Sequence, residues 1–119
     1  MSLLYKPWYY VFFYKQINYG DTKLTRKAAV NIANNQNNYI IVYIDKIDDK
    51  SIITIAVSKQ ITNKYKANDI ALYLCKNINA KGGGNNISAQ VSTKNTSSRW
   101  ALYISILEAL FTISWKNIK

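Results

Sequence analysis

Two runs of β-branched and apolar residues, Tyr39 to Ile44 and Ser51 to Ser58, constrain this chain more than any other feature. Each is apolar almost throughout, as a strand covered on both faces should be. Asp48-Asp49-Lys50 lies between them and makes a turn, so the pair predicts an antiparallel hairpin. A sheet of this kind needs helices packed on it.

Helical patterns lie on both sides of the hairpin. Before it, Leu24, Ala28 and Ile32 recur every fourth residue, with Ala29 and Ala33 beside them. Asp21 or Thr22 can cap that helix, Lys23, Arg26 and Lys27 occupy its other face, and the amide run Asn34 to Asn38 ends it. After the hairpin, Ile70, Ala71, Leu74, Cys75 and Ile78 form a second apolar stripe, with Asn68 or Asp69 as its cap. The last helix runs from about Arg99 to about Trp115, capped by Ser97 or Ser98 after a polar turn from Lys94.

Two further strands complete the pattern. Trp8 to Tyr14 follows Pro7 and consists of strand formers. Ile87, Ala89 and Val91 alternate with Ser88, Gln90 and Ser92, as in a half-buried strand. Strands joined through a helix favour parallel pairing. The fold class is therefore α/β: a single domain over residues 1–119, with a mixed sheet of four to five strands and three helices. The order is strand-helix-strand-strand-helix-strand-helix.

Composition narrows the chemistry. The chain has 119 residues, one cysteine (Cys75) and no histidine. An intrachain disulfide, a histidine triad and a His-ligated zinc site are excluded. The six carboxylates show no paired arrangement for acid–base work. We expect no catalytic residue, no metal and no cofactor. Sixteen Lys and Arg give a net charge of +10, and basic surface releases counterions from phosphates. The abundance of Lys, Asn, Ile and Tyr also matches a bias of AT-rich coding sequence, which accounts for part of the lysine.

Targeting and membrane insertion are not expected. Trp8 to Tyr14 lacks a small-residue cleavage site, and Trp100 to Trp115 is short for a span and carries Glu108. The expectation is a cytoplasmic protein without a membrane partner.

Three of the four glycines are consecutive, in Lys81-Gly82-Gly83-Gly84-Asn85. A triplet serves where the backbone takes left-handed angles or closely approaches another group. It can present successive N–H groups to an anion in a concave loop, or it can be a tight turn between helix and strand. Lys81 is either the phosphate partner of that loop or a solvated side chain. Asn85 and Asn86 either bond ribose and base edges or are turn residues. Gln90 faces a ligand or, by a slight preference, bonds the glycine loop. Lys59, Lys64 and Lys66 bracket the start of the second helix, near the loop by topology. Tyr65, between two lysines, is the aromatic residue singled out for base stacking.

Four stretches together resemble a known family, the DHH-associated domain that ends alanyl-tRNA synthetase and also occurs in DHH-type phosphoesterases. They are Ser51 to Lys59, Lys66-Ala67-Asn68-Asp69-Ile70, Lys81-Gly82-Gly83-Gly84 and Ala89-Gln90. The chain departs from the synthetase branch at Asn79-Ala80, where two more glycines are common, and at Asn85-Asn86-Ile87-Ser88, where Arg-Pro-Asp-Met is common. Val91-Ser92 also stands where Gly-Gly often follows the glutamine. The phosphoesterase branch usually places a histidine after the triplet, and Asn85 stands there.

The resemblance implies a C-terminal fragment of a larger synthetase that binds the outer corner of tRNA, with alanine tRNA as partner. It would support aminoacylation and editing by domains absent from this chain. Its RNA-binding residues would be Lys59, Lys64, Tyr65, Lys66, Lys81, Gly82, Gly83, Gly84, Asn85 and Asn86. Two alternatives stand beside it. One is the oligonucleotide-binding half of a DHH-type phosphoesterase. The other is a homodimerisation module using the last helix, where Trp100, Ile104, Leu107, Phe111 and Trp115 offer apolar surface.

Overall fold

The computed structural model describes residues 11–17, 20–94 and 99–118, and side-chain surroundings within 14–17, 20–94 and 102–113. The elements in chain order are β1 (Val11–Ile17), α1 (Thr22–Asn34), β2 (Tyr39–Ile47), β3 (Lys50–Val57), α2 (Ala67–Asn77), β4 (Lys81–Gly84), β5 (Ser88–Lys94) and α3 (Arg99–Ile118). A short 3-10 turn, Lys59–Ile61, leads from β3 towards α2. The five strands form one sheet in the order β1-β2-β3-β5-β4. β1 pairs with β2 in parallel, and every other pairing is antiparallel. The mixed α/β sheet with three helices is as the sequence predicts, with one strand more than the predicted order contains.

Both faces of the sheet are covered. On one, Ala29 and Ala33 of α1 pack against Ile41 and Ala56. On the other, Ile70, Ala71 and Leu74 of α2 and Leu102, Ile106 and Leu110 of α3 cover Ile40, Val42, Ile44, Ile53 and Ile55. Burial of successive residues in β2 and β3 explains why neither run alternates. Their hairpin turns on Asp48, at φ 56°, a backbone region that Asp tolerates better than most residues.

Polar bonds fix how α1 sits. The Asp21 carboxylate caps it, accepting from the backbone N–H groups of Lys23 and Leu24 at 3.0 and 3.2 Å. At its far end the buried Ser58 hydroxyl donates to the Ala33 carbonyl at 2.8 Å and accepts from the Tyr39 N–H at 2.9 Å. Gln90 contributes the third tie. Its Nε2 donates to the Thr22 carbonyl at 2.8 Å and to the Thr54 hydroxyl at 2.9 Å. Gln90 therefore joins the sheet to the first turn of α1, and the expectation that it bonds the glycine segment is corrected. Its amide is drawn to a helix carbonyl and to Thr54, whose hydroxyl is itself buried.

The first strand is described over Val11–Ile17, and the expected start from Pro7 to Tyr10 lies outside the described residues. So do the predicted caps Ser97 and Ser98 of the last helix, and the side chains of Trp100 and Trp115. No helix among the described residues is long and apolar enough to cross a membrane.

Candidate nucleic-acid interface

The glycine triplet is not a loop. Gly82, Gly83 and Gly84 lie in β4, the edge strand, opposite Val91, Gln90 and Ala89 of β5. A concave anion-binding nest needs a turn or alternating helical conformations, and an extended strand does not form one. The predicted phosphate cradle is therefore corrected. The close approach expected of the glycines does occur, but the group approached is the neighbouring strand. A Cβ on Gly82 would stand 2.2 Å from the Gln90 carbonyl oxygen, and one on Gly84 would stand 2.3 Å from that of Ser88. Gly82 also has φ 143°. At Gly83 a Cβ would meet only the Asn68 side chain, at 3.6 Å, an ordinary contact.

The turn that follows β4 closes the start of α2. The Asn85 side-chain oxygen accepts from the N–H groups of Ile87 and Ser88 at 2.9 and 3.0 Å, which makes Asn85 a turn residue. The carbonyls of Asn86 and Asn85 accept from the N–H groups of Ala67 and Asn68 at 3.0 and 3.1 Å. Asp69 and Ile70 donate to the Lys66 carbonyl. The open donors of Ala67, Asn68 and Asp69 are thus satisfied within the protein, and Ile70 makes the first regular helical bond. Lys66 is the N-cap residue and makes no side-chain cap bond, so capping by Asn68 or Asp69 is also corrected. Backbone carbonyls from the β4–β5 turn take that role.

This arrangement brings some of the predicted residues together. Lys66, Asn85 and Asn86 meet at the start of α2, and Asn68 abuts Gly83. Lys59, Lys64 and Lys66 lie on the segment that joins β3 to α2, with Lys59 exposed and the other two partly so. Tyr65 does not join them at the surface. It is fully buried, within the cluster that includes Ile61, Ala67 and Ile70. Its ring has no open face for a base, and the stacking role is corrected: the segment folds down at Tyr65 and up again at the flanking lysines.

Lys81 stands apart from that group. It begins β4, whose four extended residues separate it from the Asn85 turn by roughly 10 Å or more. It lines a different cleft, with Lys50 and Lys94. Sequence reasoning missed those two residues. Only the pairing of Lys50 with Lys94 across β3 and β5 reveals them, and no local pattern encodes it. Among the described residues no three His, Cys, Asp or Glu side chains gather into a metal-holding group.

Comparison with known proteins agrees with this architecture. The chain is 38% identical over 101 residues to an alanine–tRNA ligase of Rickettsia felis, covering 85% of this chain and 12% of that protein. It is 37% identical over 99 residues to that of Orientia tsutsugamushi, with 83% and 11% covered. The chain thus spans about an eighth or less of the length of these relatives. The crystal structure of the C-Ala domain from Aquifex aeolicus alanyl-tRNA synthetase matches at a TM-score of 0.75 and 21% identity, over 83% of this chain and 89% of that one. That likeness is one of fold. The DHHA1 domain matches residues 10–112, nearly the whole chain. On that match the chain belongs to the DHHA1 domain family.

Proposed function

We propose that this chain is the C-terminal tRNA-binding module of an alanyl-tRNA synthetase. In that role it holds the outer corner of tRNA while other domains of the ligase aminoacylate and edit. The observation that carries this reading is the similarity to alanine–tRNA ligases across most of the chain, on a domain with a net charge of +10. Lysines meet the phosphates, and the RNA is read by its folded shape. Lys59, Lys64, Lys66 and Lys81 are the contacting cations. Asn85 and Asn86 shape the surface beside Lys66, because their carbonyls and the Asn85 side chain are already engaged.

A binding comparison tests this. The chain should hold alanine tRNA and a second tRNA more tightly than a single-stranded RNA of equal length. The corner where the D and T loops meet is common to folded tRNAs, so discrimination between the two tRNAs should be small. Equal affinity for all three RNAs would mean that charge is sensed without shape, and the reading would fail.

A second reading, homodimerisation through α3, is favoured by one observation. Ile104, Leu107 and Phe111 are exposed, Phe111 by 71%. They line a shallow groove with Tyr73, while Leu102, Ile106, Ala109 and Leu110 face the core. Sedimentation across a concentration series should show a dimer that Phe111→Glu disperses. A monomer throughout would remove this reading.

A further inference from the structure

We propose that Lys50, Lys81 and Lys94 form a phosphate clamp for the RNA backbone on the sheet face that carries α1. The proposal rests on the tRNA reading above and moves the main anion contact away from the glycine segment.

The sheet register assembles the clamp. Lys50 stands directly opposite Lys94, and Lys81 directly opposite Ser92. Residues directly opposite, or two apart along a strand, share a face. Lys50, Lys81, Ser92 and Lys94 therefore share one face, and Gln90 shares it with them. Gln90 reaches the first turn of α1 from that face, so the lysines lie further along the strands, beyond the N-terminal end of α1. Strands are spaced about 4.8 Å apart, so the three lysines arise from a patch roughly 10 Å across.

The surroundings favour an anion. The three lysines are exposed and line a cleft of about 500 Å³ together with Ile78, Asn79, Ser92 and Thr93. Among the described residues no carboxylate lines it. Asp45 lies in the same row of the sheet as Ser92, across Ile52, but it is buried and accepts from the Gly20 N–H at 2.8 Å. Asp48 and Asp49 form the turn beside Lys50 and stay outside the cleft. The Thr93 hydroxyl is already committed to the Ile78 carbonyl at 3.2 Å. The charged donors of the cleft are thus the three ammonium groups.

Like charges directly opposite on neighbouring strands destabilise a sheet, and a bound phosphate reverses the sign of that interaction. Lysine ammoniums on long stems suit phosphate as point charges. The α2 start, where a helix would ordinarily offer N–H groups to an anion, is filled by the Asn85 and Asn86 carbonyls.

The test uses two doubly reversed variants of equal net charge. One is Lys50→Glu with Lys94→Glu. The control is Lys15→Glu with Lys27→Glu, at exposed positions on β1, the opposite edge of the sheet, and on α1, neither of which lines the cleft. Affinity for a tRNA transcript should fall at least about tenfold further in the first than in the control, since reversal removes phosphate contacts and repels the phosphates. Equal weakening in both would overturn the clamp while leaving the tRNA reading intact. Should the reversal unfold the chain, Lys50→Gln with Lys94→Gln replaces it, compared with Lys15→Gln with Lys27→Gln under the same criterion. Amide shifts on titration with inorganic phosphate supply an independent readout. Movement at Lys81 and Ser92–Lys94 supports the clamp even in a chain that binds no tRNA, an outcome that would remove only the tRNA reading. Phosphate shifts absent from those amides would overturn it.

Discussion

Replacing each glycine of the triplet by alanine in turn should give two unstable proteins and one stable one. Gly82→Ala and Gly84→Ala are expected to lose about 2–4 kcal/mol, since each places a methyl group against the β5 backbone, which cannot rotate away. The edge strand must then lift off β5 or bend. At Gly82 the added carbon also meets an unfavourable φ. Gly83→Ala should lie within about 1 kcal/mol of the parent and can gain, because its new methyl touches only the Asn68 side chain and the unfolded chain loses freedom. In a domain of this size each kcal/mol moves the melting temperature by roughly 3–6 °C, so thermal melts separate the outcomes. If the triplet served an anion instead, all three variants would melt near the parent and differ in RNA affinity.

Tyr65→Ala should be as damaging. The side chain is fully buried beneath the segment between β3 and α2. Deleting a large aromatic residue from a core costs about 3–5 kcal/mol through lost burial and the cavity left behind. Tyr65→Phe keeps the ring and should retain stability to within about 1.5 kcal/mol, the value of one hydrogen bond. Denaturant midpoints of the two variants decide between a core role and a stacking role. A Tyr65→Ala protein with a native midpoint and weakened RNA binding would contradict the structure.

The contrast between these sites shows which parts of the fold a sequence can reveal. α1 and the β2–β3 hairpin were readable because their signals are local. Asp21 caps three residues from Leu24, and Asp48-Asp49 turns directly between two apolar runs. The triplet was readable as a place of close approach but not as a strand. Three residues without side chains have no periodicity, and β4 exists through its pairing with β5. The burial of Tyr65 is hidden for a related reason. Flanking lysines mark a surface segment, yet a single residue can point inward from one, and only tertiary packing shows it. The α2 start misled in a third way. Asn68 and Asp69 have the right chemistry for capping, but the β4–β5 turn delivers two carbonyls to the same donors.

The candidate site followed the same rule. Lys66 and the Asn85–Asn86 turn come together because the carbonyls of that turn accept from the first N–H groups of α2. Lys81 is close to that group in sequence, but its pairing with Ser92 carries it to the cleft shared with Lys50 and Lys94. A five-stranded order of β1-β2-β3-β5-β4 places a hairpin turn, an edge strand and a strand end side by side. That order cannot be read from the residues that form the cleft.

The central claim is that this domain grips RNA through its lysines rather than through its glycines. Its most direct test is the affinity for a tRNA transcript as salt is raised from 50 to 200 mM. Each phosphate neutralised contributes a slope of roughly −0.7 to −0.9 to log affinity against log salt. A clamp of three lysines predicts a slope of about −2 or steeper, hence a loss of at least about 15-fold across that range, and Lys50→Glu with Lys94→Glu should flatten it. An affinity that stays constant between 50 and 200 mM salt, in parent and variant alike, would contradict the account.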